Sequence, residues 1–372
     1  MNRDLPITTR SHRTHAMKAH SRISHLWWLL PPGAALFYPQ AVRALYESGK
    51  LLHRASGPAG AVAWLAIAVS VGLVYSVPAG GITVAYLLGR QERTSSSDLL
   101  ARRLAHLAVA SPPLFVLIGV VFYLLRFPNG DSVFWPIFWL TALAAAGWAM
   151  RSQGTDTPAS ATPAPIPLRV AHGTSALLIV LIFLAWHLLN HASAAFSPEF
   201  NQAMMTTLRK WYRSELVQSV LVTLMLFQVV SGVILLWRVT AARSDLYQTL
   251  QTSTGAFLAA FIVSHLNAVF ILGRAVSKMD TTFLWASGAP VGLLSDAWNV
   301  RLIPHYSLGV WFVITHIGLG LRGVLLAHGV SALVAARVAW AVGALGGAFA
   351  LAITVAQLRL HGPLPSPSNG IR

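Results

Sequence analysis

The sequence predicts an all-α, polytopic helical membrane protein of about nine spans, and three observations carry that prediction. Hydrophobic residues make up 55% of the 372 positions and charged residues only 10%, where a soluble domain would carry about a quarter charged. Mean hydropathy is +0.60. Apolar stretches of roughly 20 residues, each long enough to cross a bilayer, recur along the chain. Cysteine is absent, which excludes disulfides, thiolate metal sites and cysteine-ligated iron–sulfur clusters within this chain. The net charge of +16 falls mostly at helix ends and in loops. It reads as membrane topology and contact with anionic headgroups, with the lipid bilayer as partner and no nucleic acid.

Residues 1–25 form a polar, basic tail rich in Ser and His, without the continuous apolar core of a signal peptide. A first span is expected over 26–46, with Pro31-Pro32 near its start, followed by spans at 59–88, 103–125 and 133–150. Pro78-Ala79-Gly80-Gly81 marks a candidate break in the second of these. Together residues 26–150 read as N-terminal transmembrane helices that pack or anchor. Residues 151–167, RSQGTDTPASATPAPIP, are a Pro/Ala/Thr-rich linker without apolar periodicity. Five further spans at 168–193, 215–237, 247–273, 304–327 and 335–359 make a five-helix bundle over 168–360, and 361–372 is a tail.

Orientation follows from Lys and Arg. Nine spans starting inside place Arg3, Arg10, Arg13, Lys18 and Arg22, and also Arg90, Arg93, Arg102 and Arg103, on the cytoplasmic face. The expectation is therefore an integral protein of a bacterial inner membrane with a cytoplasmic N-terminus. A faint internal echo links the halves, since RRLAH at 102–106 and LRVAH at 168–172 both open an apolar span. Past RRLAH the first half carries no histidine inside its spans.

The second half is different. The run ALLIVLIFLAWHLLNHAS places His187 and His191 one helical turn apart in an apolar segment, where an imidazole without a partner is costly. At about 1.5 Å per residue, His187 on the first helix and His265 on the third reach similar depth. Two imidazoles facing each other across a bundle are what a low-spin haem iron needs. His316 sits near the middle of the fourth span. A single buried histidine is more often satisfied by Ser, Thr or a carbonyl; the depth match is what singles out the pair.

At these residues the second half resembles the five-helix cytochrome b membrane anchor of succinate dehydrogenase and fumarate reductase. RVAHGTSALLIVLIFLAWHLLNHASA followed by EFNQA is similar to the family's first helix, with a His near the start, an FLxxHLxxN stretch and a Phe-Asn segment after it. TSTGAFLAAFIVSHLNAVF resembles the third helix, and the fourth carries His316, Gly320 and Arg322 in the family's spacing. The resemblance implies haem b ligated by His187 and His265. It departs at the second helix, LMLFQVVSGVILLWR, where Gln228 stands in place of the usual partner of His316. An amide is a poor haem ligand beside imidazole. One haem is therefore expected. A second is left open through His316 with a different partner, the alternative being that His316 hydrogen-bonds Gln228 and holds no metal. The family also implies electron transfer with a quinone near His172 or Arg322, and iron–sulfur and flavoprotein subunits as partners. The chain has no catalytic motif of its own, so it is at most an electron-transfer subunit of an oxidoreductase. Two other readings compete: a haem-bearing anchor or assembly factor without turnover, and a two-half transporter without haem.

Overall fold

A computed structural model describes residues 26–54, 58–151, 157–158 and 165–359; the tails at 1–25 and 361–372 and most of the 151–167 linker lie outside the described residues. The described chain is almost entirely helical. Twelve helices organise it: α1 Leu30–Leu36, α2 Tyr38–Arg54, α3 Pro58–Gly89, α4 Ser96–Val109, α5 Ser111–Leu124 and α6 Gly130–Arg151 in the first half. In the second half α7 is Ile166–Ser193, α8 Pro198–Tyr212, α9 Glu215–Val239, α10 Leu246–Val276, α11 Asn299–Ala327 and α12 Ala332–Arg359. Among the described residues the one extended pairing is Arg93–Thr94 antiparallel to Thr157–Pro158, which ties the α3–α4 loop to the start of the linker.

Seven helices (α3, α6, α7, α9, α10, α11 and α12) are long and apolar enough to cross a bilayer, and the α4–α5 pair brings the number to eight. At most 28% of any of their apolar windows is buried inside the protein. Most of this apolar surface therefore faces outward, which lipid tolerates and water does not. The protein is an integral membrane protein.

Two expected spans look different in the structure. The 103–125 span is not one straight helix: α4 and α5 meet at 69°. The cause is Ser111-Pro112-Pro113 at the joint. Proline has no N–H to donate and its ring clashes with the carbonyl of the preceding turn, so the ladder stops at Val109 and restarts. By contrast the candidate break at Pro78 is no break, because α3 runs through it as one helix. Gly81 makes room there: a Cβ would stand 2.7 Å from the Ala105 carbonyl of α4.

The first expected span, 26–46, is not among these long helices because it is broken at Phe37 between α1 and α2, yet its contacts run from one end of the bundle to the other. Trp28 packs with Val84, Ala85 and Leu88 at the C-terminal end of α3. Twenty-one residues on, Gly49 lies against Leu294 in the α10–α11 loop, on the opposite face. Between them Tyr38, Val42 and Leu45 repeat at helical spacing and are buried against Val74, Val77, Phe115, Trp135 and Trp139. Ser48 hydroxyl meets Ser70 hydroxyl at 2.8 Å, satisfying both within the apolar interior. The face bearing the α3–α4 loop is called the Arg90 face below, and the one bearing the α10–α11 loop the Asp280 face.

The halves pack as one body. Val109 shares a buried cluster with Phe257, Leu258, Leu308 and Phe312 of the second half. Arg301 binds Asp131 at 2.5 Å, with its guanidinium 4.1 Å from the Phe115 ring centre. Tyr75 hydroxyl bonds Ser307 hydroxyl at 2.5 Å. Tyr75→Phe is expected to cost about 1 kcal/mol, the usual loss for one neutral hydrogen bond whose remaining partner stays satisfied. Ser307 also donates to the Ile303 carbonyl at 2.7 Å, so it keeps a partner. Thermal unfolding in detergent would read the difference.

Candidate functional site

Histidines gather at two levels of the second-half bundle. Toward the Asp280 face, the His187 ring of α7 and the His265 ring of α10 stand with centroids 6.2 Å apart, inclined at 66°. Both helices depart from α-geometry beside these residues. Val180–Leu184 of α7 is a π-helical segment ending three residues before His187, and Asn267–Val276 of α10 is another beginning two residues after His265. A π turn inserts one extra residue and rotates the rest of the helix about its axis, and such turns recur at functional sites. No spacing rule in the sequence signals them.

Aromatic stacking sets the two rings. Phe183, one turn before His187, stacks on it at 4.6 Å, and Phe261, one turn before His265, stacks on that ring at 5.6 Å. Tyr212 at the end of α8 meets Phe183 edge-on at 5.2 Å. The EFNQA segment of α8 is a positioning element: Asn201 is buried and its amide donates to the Asn190 carbonyl at 2.5 Å, docking α8 onto the end of α7. Arg209 of α8 clamps Asp280 at 2.7 and 2.8 Å and holds the loop over this end of the bundle.

His187, His191 and His265 are each half-buried, and no hydrogen bond reaches their ring nitrogens among the described residues. His191 lies 4.6 Å from His187, nearly perpendicular to it, and 5.7 Å from Phe283. A fourth histidine, His305 of α11, joins the cluster. It is 2% exposed, 4.6 Å from Phe261, and its Nδ1 has no partner among the described residues. Sequence reasoning passed over it, although a signal exists: His305 and His316 are 11 residues apart, three turns on one face.

The spacing of the first pair discriminates between uses. Among the described residues no three His, Asp or Glu side chains converge on a metal position. An axial iron–nitrogen bond of about 2 Å, plus roughly 1 Å from nitrogen to ring centre, puts trans imidazole centroids roughly 6 Å apart. The observed 6.2 Å fits that geometry, whereas a tetrahedral ion would draw the rings closer. The residues present fit a haem held between α7 and α10.

Toward the Arg90 face the structure forms two pairs, His172 of α7 with Ser231 of α9, and Thr254 of α10 with His316 of α11. His172 Nδ1 bonds Ser231 Oγ at 2.7 Å and His316 Nδ1 bonds Thr254 Oγ1 at 3.0 Å. Gln228 does not meet His316. It donates to the His172 carbonyl at 2.7 Å and to Ser175 Oγ, because α9 packs on α7 and α10 and so presents its inner face to them. The alternative of a Gln228–His316 hydrogen bond is thereby corrected. Arg322 lies with its guanidinium 3.7 Å from the Tyr247 ring centre, and its buried Nε has no partner among the described residues. His106 closes the RRLAH segment and is 1% exposed, with Nδ1 bonded to Ser253 at 3.0 Å.

No protein-family model, curated protein or solved structure matches the chain.

Proposed function

We propose that the chain is a haem b-binding membrane protein that carries electrons in connection with a quinone, as the resemblance to the succinate dehydrogenase and fumarate reductase anchor implies. The observation that carries the reading is the pair His187 and His265, brought from two helices to 6.2 Å between ring centres, which would hold the haem. Bound there, a bis-imidazole haem supplies one-electron redox chemistry with no open position for dioxygen. The chain's own residues fix the rest. Phe183 and Phe261 hold the two rings in orientation, and α8 with the Asp280 loop closes that end against water. For the quinone, Arg322 offers a cation on the Arg90 side, with an unsatisfied buried Nε to bond a carbonyl oxygen. Iron–sulfur and flavoprotein subunits supply the dehydrogenase chemistry, and the Arg90 face lies in the cytoplasm of a bacterial cell.

A reduced-minus-oxidised optical spectrum of the purified full chain tests this. A sharp b-type α-band that forms on addition of a quinol analogue is expected. Colourless protein, purified from cells with ample haem, would return the chain to the transporter reading.

A further inference from the structure

One backbone hydrogen bond joins the end of α3 to the loop between α9 and α10: the Ser244 amide donates to the Gly89 carbonyl at 2.8 Å. Ser244 is held a second time through its side chain, which accepts from Arg102 Nη2 at 2.6 Å. Beside this joint stand two arginines, Arg90 next to Gly89 and Arg243 next to Ser244. Both are exposed, and they line one open cavity of about 410 Å³ together with Tyr86, Ser244, Asp245 and Leu246. Each half of the chain supplies part of the wall. The cytochrome b resemblance covers only the second half, so it implies no site here.

The charge in this cavity is not balanced. Asp245 is its one acidic lining residue, and that carboxylate accepts from the Gln248 amide at 2.8 Å, capping α10 at the positive end of the helix dipole. Arg90 makes no hydrogen bond or ion pair among the described residues, and its guanidinium lies 5.5 Å from the Tyr86 ring centre. Arg243 meets Glu92 at 3.9 Å, beyond hydrogen-bond reach, and Glu92 is 85% exposed. An exposed pair at that distance contributes little. Two guanidiniums therefore have donors to spare for one anion.

Depth says where such an anion is found. α3 ends at Gly89, α9 ends at Val239 and α10 starts at Leu246, so three apolar helices reach their ends at this level. There hydrocarbon gives way to headgroups, tyrosine is favoured, and basic pockets attract anionic lipid. Tyr86 and Leu246 add apolar wall beside the cations. We propose that the cavity is a phosphate-binding site in which Arg90 and Arg243 donate to the phosphate oxygens by charge-assisted hydrogen bonds. The ligand is a phosphate with net negative charge, carried by an anionic phospholipid or free in solution. Once bound, it fastens α3 to the α9–α10 loop, across the joint between the halves.

The test uses the delipidated full chain in detergent. Native mass spectrometry follows added phosphatidylglycerol or zwitterionic phosphatidylcholine, and thermal unfolding compares inorganic phosphate with chloride at equal ionic strength. Wild type is expected to retain phosphatidylglycerol over phosphatidylcholine. The double variant Arg90→Gln with Arg243→Gln should bind it about thirtyfold more weakly. Arg90→Lys with Arg243→Lys, which keeps the charge, should recover most of that binding. Arg151→Gln with Arg337→Gln removes the same charge at exposed positions outside the cavity and should bind as wild type does. Stabilisation by inorganic phosphate that the Arg90/Arg243 glutamine variant loses, without preference for phosphatidylglycerol, would keep the site and make free phosphate its ligand. Equal lipid retention by wild type and that variant, with no such phosphate effect, would overturn the proposal. Equal loss in the Arg151/Arg337 variant would also overturn it, because attraction would then be diffuse. No arm reads haem, so the outcome is independent of the proposed function.

Discussion

If the proposed haem binds between α7 and α10, replacing His187 or His265 by alanine is expected to abolish its binding altogether, while His191→Ala and His305→Ala leave it in place. The contrast follows from geometry. His187 and His265 project from different helices at 6.2 Å, with stacked phenylalanines fixing each ring from behind. His191 is a neighbour of His187 on the same helix at 4.6 Å and nearly perpendicular to it, so it cannot stand trans to that ring across a porphyrin plane. His305 is packed between Phe261 and Tyr306. Each variant would take away one of the two imidazoles that would hold the haem, and haem affinity should fall by orders of magnitude. The measurement is pyridine haemochrome content per chain with the low-spin EPR signal. A wild-type signal in both the His187 and the His265 variants would sink the assignment. Equal loss in His191→Ala would move the ligand one turn along α7.

How much of the structure was legible in the sequence depends on which forces decide each feature. Span positions were legible because twenty-residue apolar runs have no other use, and α3, α6, α7, α9, α10, α11 and α12 fall within a few residues of expectation. The bend between α4 and α5 was written in Ser111-Pro112-Pro113, but a hydropathy window averages over prolines and sees one span. The depth match of His187 with His265 came from counting rise along two helices. What counting could not give is rotation about the axis, since the π segments of α7 and α10 change it locally. His305, and the hydroxyl partners of His172 and His316, were not legible for a further reason. Which hydroxyl accepts from which imidazole is a tertiary fact, and Ser231 and Thr254 look like ordinary helix residues until α9, α10 and α11 are packed. The first span was expected from its apolar residues, whereas the break at Phe37 and the stripe of Tyr38, Val42 and Leu45 that it buries came only with the packed fold.

Arg102→Met is expected to be among the most destabilising single changes in the chain, at about 3 kcal/mol, because it unmakes the joint between the halves. Arg102 is 3% exposed and faces no carboxylate among the described residues. Instead Nη1 donates to the Thr240 carbonyl at 2.7 Å and the Ala242 carbonyl at 2.6 Å, and Nη2 to Ser244 Oγ at 2.6 Å. These carbonyls lie just past the C-terminus of α9, the negative end of that helix's dipole, where a cation is stabilising. Arg103 adds to the same end: its guanidinium stacks 3.3 Å from the Trp237 ring centre and donates to the Trp237 carbonyl at 3.0 Å. The close approach needs Gly89, where a Cβ would come within 2.6 Å of Ser244 Oγ and 3.0 Å of Arg102 Nη2. Methionine fills much of the arginine's volume but satisfies none of the three acceptors. Relief from burying a charge offsets part of that cost, which is why the estimate stays near the lower end for a broken buried network. Arg102→Lys should recover part of the stability, since a single ammonium reaches fewer of these diverging acceptors. Denaturant unfolding in detergent reads both variants, with haem content recorded separately on the folded fraction. Wild-type stability in Arg102→Met would show that apolar packing of Val109 against Phe257 and Leu308 holds the halves together without the arginine.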